Sequence, residues 1–167
     1  INMSENNQMM SVEGQLVGMP LAGPESFSQQ QLEYLKRALG VDETVLWEDS
    51  NGKSPNTTGD FPITLSETIS NFERVRFYWQ TFNASYENHT VSEKMTDLNS
   101  FTLEGYILNS ASDSAFSIGW VLTSSGTTLS HGMCKYNNWA NNTVQGGGNF
   151  VRLFKVVGVH RIAGGNT

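Results

Sequence analysis

Between residues 28 and 39 apolar side chains recur every three or four positions; from residue 44 onward they recur every second position, and Gly40 stands between the two regimes. A change of period from about 3.6 to 2 marks the passage from one amphipathic helix to a series of half-buried strands. Strands of that kind must lay their apolar faces on another layer, because a lone sheet leaves those faces in water. The period change therefore predicts a β-domain with a small helical lead-in.

The helix is expected over residues 28–39, where Ser28 and Gln31 have capping-box spacing and Leu32, Leu35 and Leu39 form a stripe. Gly40 supplies the stop. About three turns of helix are marginal alone in water, so the stripe must pack on the β-domain or on the same helix of neighbouring chains. Before it, residues 1–25 hold few periodic apolar positions and are interrupted by Pro20 and Pro24, which reads as a linker or N-terminal arm. The resulting division is an arm at 1–25, a short helix at 26–41 and a β-sandwich at 42–167.

Eight strands are expected, at residues 44–48, 61–65, 72–80, 90–95, 101–108, 116–123, 127–135 and 150–162. Eight strands suit an antiparallel two-sheet sandwich. In the sixth, Phe116, Ile118, Trp120 and Leu122 point one way, so Trp120 belongs to the core. In the third, Val75, Phe77 and Trp79 share one face, leaving Arg74, Arg76 and Tyr78 on the other, where arginines commonly meet acids of a neighbouring strand or chain. The last strand is apolar on both faces and is expected to be central in its sheet. Turn chemistry at residues 49–53, 124–126 and 146–149 is expected to supply connections, the last a flexible triple-glycine turn.

Charge and cysteine content narrow the function. Ten basic against sixteen acidic side chains give a net charge of −6, with no Lys/Arg stripe to follow a phosphate backbone, so nucleic acid is not an expected partner. No apolar run approaches the roughly 20 residues of a membrane-crossing helix, and membrane insertion is not expected. The single Cys134 cannot form an intrachain disulfide. The first residues lack a basic segment followed by an apolar core, so no signal peptide is expected.

Reactive centres are equally hard to assemble. There is no Gly-x-Ser-x-Gly elbow, no His-Glu-x-x-His and no Cys-x-x-Cys; His89, His131 and His160 lie in separate segments. Cys134 follows His131 by three residues, which at strand spacing predicts opposite faces and a half-buried free thiol. Acidic pairs at Asp42-Glu43 and Glu48-Asp49 lack a calcium-loop pattern. Gly146-Gly147-Gly148 is followed by no Lys-Ser/Thr and by a strand, unlike a phosphate loop. The expectation is a binding protein and not an enzyme, with no metal and no cofactor. A pair of glycosidase carboxylates among sixteen acids would leave no sequence trace.

Residues 135–145 carry the clearest binding chemistry, two aromatics among four Asn and a Gln. A sugar offers apolar C–H faces and a rim of hydroxyls, which calls for an aromatic to stack on and neutral amides to bond the rim. Tyr136, Asn138, Trp139 and Asn141 meet that demand and are the candidate ligand-binding residues. A loop expected at residues 80–89, with Tyr86, Asn88 and His89, has the same character.

Three stretches carry a resemblance: Gly40-Val41-Asp42-Glu43-Thr44-Val45-Leu46-Trp47 after the helix, Ile63-Thr64-Leu65-Ser66-Glu67-Thr68-Ile69-Ser70-Asn71-Phe72, and Val156-Val157-Gly158-Val159-His160-Arg161-Ile162. Across residues 40–162 the pattern resembles bacteriophage tail-fibre and receptor-binding proteins, in their distal head domain. That resemblance implies a jelly-roll-like sandwich, a homotrimer, a place in the tail appendage of a virion beside other tail proteins, and attachment to host cell-surface glycan. It carries no site residue. Two alternatives stay open: a structural tail or baseplate protein without glycan binding, and a polysaccharide depolymerase or esterase.

Overall fold

The computed structural model describes residues 7–12, 15–20, 28–39, 42–83, 86–109, 114–140 and 142–162. The chain forms two compact units, residues 1–42 and 43–167.

In the first unit, β1 (Asn7–Val12) and β2 (Gln15–Pro20) pair as an antiparallel hairpin within the stretch read as an arm. The helix α1 covers Gln29–Ala38, with the capping box in place: the Gln31 amide donates to Ser28 Oγ at 3.2 Å, and the Ser28 amide to Gln31 Oε1 at 2.9 Å. Lys36 and Arg37 occupy the last turn, where a cation complements the exposed carbonyls. Leu39, at the end of the stripe, is 71% exposed.

The second unit is mainly β, two antiparallel sheets packed as a sandwich. Its strands are β3 (Glu43–Lys53), β4 (Ile63–Thr64), β5 (Phe72–Asn83), β6 (Tyr86–Met95), β7 (Ser100–Asn109), β8 (Ser114–Ser125), β9 (Thr128–Asn138), β10 (Thr143–Gly146) and β11 (Val151–Arg161). One sheet has the order β3-β11-β5-β6; the other runs β10-β9-β8-β7, with β4 also paired to β9. All eight expected strands form. The sequence reading omitted β10, whose four residues are all exposed and show no alternation.

The faces sort as the period predicts. Val75, Phe77 and Trp79 of β5 meet Phe101, Leu103, Trp120 and Leu122 of β7 and β8 in one buried cluster. Across the two sheets Trp79 and Trp120 pack edge to face at 6.4 Å between ring centres, and Phe77 against Phe101 at 5.3 Å. As expected, β11 is central, hydrogen-bonded to β3 and β5. On its outer face Val157 and Val159 are only 2% and 3% exposed. An ion-pair ladder accounts for this: Glu93 of β6 accepts from Arg74 and Arg76 of β5 at 2.6 and 2.8 Å, and Arg76 reaches over β11 to Glu43 of β3 at 2.6 Å. The arginine stems cover apolar surface while their heads are paired.

Three local readings are corrected. Residues 49–53 do not connect two strands. They bulge out of β3 and return to the same partner, so that Glu48 and Lys53 lie opposite Lys155 and Leu153. The excursion is held by the Asn51 amide donating to Asp49 Oδ1 at 2.8 Å, and Gly52 has φ +68°. Residues 80–89 are not a loop, because pairing of β5 with β6 continues to Asn83 and Tyr86; residues 84–85 lie outside the described residues. Nor is the triple glycine an open turn: Gly147 and Gly148 are buried, and the Gly148 carbonyl accepts from Ser54 Oγ at 2.8 Å. A side chain on Gly147 would meet the Lys135 backbone at 3.0 Å.

Candidate binding face on the five-stranded sheet

The outward positions of β7 to β10 form two rows across the sheet. Register places Tyr106, Ser117, Asn137 and Val144 side by side, one residue from each strand, and then Glu104, Gly119, Lys135 and Gly146. Direct partners in antiparallel strands share a face. Their neighbours along each strand, such as Leu103, Ile118 and Trp120, are buried on the core side, which fixes these rows as the outer ones.

Trp139 follows β9 and belongs to this face. Its backbone amide donates to the Ala115 carbonyl at 2.9 Å and its indole Nε1 to Ser117 Oγ at 3.2 Å. Two bonds to β8 thus tie the ring to the sheet, yet it remains 60% exposed. Tyr106, opposite Ser117, is 55% exposed. The two aromatics therefore flank one serine. Beside it, Asn137 Oδ1 is shielded from solvent and has no hydrogen-bond partner among the described residues. Such an acceptor is costly to leave unmade.

The four residues singled out from sequence have different surroundings. Trp139 is the exposed aromatic just described. The Tyr136 ring turns inward, packing edge to face against Phe116 at 5.6 Å and Phe150 at 5.0 Å, while its hydroxyl donates to Gln145 Oε1 at 2.7 Å. Asn138 shapes the turn, its Oδ1 accepting from the Ala140 amide at 2.9 Å. Asn141 lies outside the described residues. Sequence reasoning missed Tyr106, Ser117 and Asn137. A signal was present for Tyr106, the aromatic at an outward position of a strand whose inward positions are Phe101, Leu103 and Ile107.

Cys134, His131 and the acids considered for metal binding have surroundings of their own. In β9 an extra residue opposite β8 sets Cys134 against Trp120 and His131 against Leu122. Both partners face the core, so the bulge places Cys134 and His131 nominally on one side, contrary to the expectation of opposite faces. His131 contacts the Phe61 ring at 5.5 Å. Cys134 is a partly buried free thiol, as expected, and burial pushes it up to about 12, which keeps it protonated at neutral pH. The acids considered for calcium are engaged: Glu43 with Arg76, Glu48 with Lys155 at 3.3 Å, and Asp49 with Lys53 at 3.6 Å. Among the described residues no group of three or more His, Cys, Asp or Glu is gathered as a metal site.

Compared with models of known protein families and with characterised proteins, the chain matches none.

Proposed function

We propose that the sandwich is a glycan-binding attachment module of the kind carried at the tip of a phage tail appendage, working as a homotrimer on host surface saccharides. The observation that carries this reading is Trp139, a 60% exposed indole bonded to the sheet through Ser117 with a second exposed aromatic across from it. An immobilised aromatic stacks on the C–H face of a sugar without first losing rotamer freedom, and the serine, amide and tyrosine groups around it suit a hydroxyl rim. One shallow face of this kind binds weakly. Three copies on one appendage would raise avidity without any stronger contact.

The test is adsorption to host cells and to an array of bacterial surface polysaccharides, comparing the wild type with Trp139→Ala. We expect the variant to lose glycan signal by at least about tenfold while its thermal midpoint stays within the small range typical of surface substitutions. Unchanged adsorption would remove this face from consideration. Absence of any glycan signal from the wild type would favour a structural tail protein. Shortening of the polysaccharide or release of acyl groups on incubation would show turnover in place of binding.

A further inference from the structure

The second outward row has a feature the first lacks. Gly119 lies on β8 between Glu104 of β7 and Lys135 of β9, and a Cβ built on Gly119 would have nothing within 4 Å. Gly146, at the end of the same row, is equally open. Glu104 and Lys135 are both exposed, and among the described residues neither side chain has an ion-pair partner. Their backbones are two strand spacings apart, about 10 Å. The sheet thus carries a slot one residue wide, floored by glycine, with an acceptor-only carboxylate on one wall and a donor-only ammonium on the other. It adjoins Ser117 one step along β8, and so continues the face bearing Trp139 and Tyr106.

We infer that this slot takes one unit of an uncharged polysaccharide, with neighbouring units running along β8 over the Trp139 and Tyr106 patch; the inference rests on the glycan-binding reading above. A sugar hydroxyl donates and accepts at once, so a neutral unit can satisfy both walls together. A uronate or phosphate could bond Lys135 but would face Glu104, on a chain whose net charge is −6. From Ser117 to Val121 the strand rises about 13 Å, long enough for a chain segment and not only for a terminal residue. Gly119 is the device that opens the slot, since β8 would otherwise favour a branched side chain there.

The test probes an array of bacterial surface polysaccharides, uncharged and polyanionic, at low and high salt, with wild type, Gly119→Val and Trp139→Ala. Valine fits open space on a strand, so the variant should keep its fold, checked by its thermal midpoint. The expected result is wild-type signal on uncharged polymers that barely changes with salt, and a loss of about tenfold or more with either variant. Two results overturn the slot while leaving the binding face intact: signal confined to polyanions and weakened by salt, or full binding by Gly119→Val while Trp139→Ala has lost it. Wild-type protein silent on every polymer would sink the glycan reading itself, and the slot with it.

Discussion

Gly105 and Gly119 sit one residue out of register on adjacent strands, and each lacks a side chain for a different reason. Gly119 faces open space, whereas a Cβ on Gly105 would come within 2.7 Å of Trp79 Cη2. The tryptophan has nowhere to retreat, because its Nε1 donates to Ser92 Oγ at 2.9 Å and its ring abuts Trp120. Gly105→Ala should therefore lower unfolding free energy by about 1–3 kcal/mol, the usual cost of overpacking a core, as read by urea titration. A wild-type midpoint for that variant would mean the two sheets can part without cost. At this scale the sequence was partly legible. Trp139 could be singled out from its Asn-rich surroundings, and Trp120 assigned to the core from its apolar neighbours. Tyr136 could not be placed, because a tyrosine beside asparagines looks the same whether its ring faces out or lies between Phe116 and Phe150.

Among the elements, β11 is anchored at its end by charge. Arg161 at its end makes a two-pronged contact with Glu67 at 2.6 and 2.7 Å and lies 4.8 Å over the Phe72 ring, while the Ile162 amide donates to the Asn71 carbonyl at 2.8 Å. Hydrogen bonds from Arg161, helped by Asn71, hold the Glu67 carboxyl below its usual range against the opposing effect of burial. Arg76 and then Arg74 lower Glu93 in the same way. A glutamate with a depressed folded pKa stabilises the native state above its unfolded value of about 4.3, and that contribution is lost as pH falls through the folded value. The urea midpoint should thus drop on acidification from about pH 5 toward pH 3. Glu67→Gln should be less stable than wild type at neutral pH, and the two curves should converge in acid. Parallel curves would show that the pair contributes nothing to folding. Strand periodicity made these elements legible as strands, but the three extra residues of the β3 excursion and the one in β9 leave no mark on a period of 2. That is why the bulge at residues 49–53 read as a connection, and why Cys134 and His131 were assigned to opposite faces.

For the whole molecule, the alternation of apolar residues over eight strands, with only one short helix to cover a sheet, favoured two sheets in contact. Strand order and register were not legible, as they depend on pairings between segments far apart in the chain. The lead-in leaves Leu39 exposed, and the proposed homotrimer gives the α1 stripe a mate in neighbouring copies. Sedimentation equilibrium should then report three chains. Replacing Leu32 and Leu35 together by Gln should yield monomers that keep per-site glycan affinity but adsorb to multivalent surfaces more weakly by a factor of ten or more. A wild-type protein sedimenting as one chain would sever the link to trimeric appendages.

The position of β11 between β3 and β5 also bears on how the protein is made. A ribosome delivers β3 and β5 well before β11, and in the folded sheet the two are not neighbours, because the strand that bridges them starts at Val151. Until that segment emerges, both offer bare edges to any other nascent chain nearby. The β5–β6 hairpin can form early, but joining β3 to it waits on translation of residues 151–161.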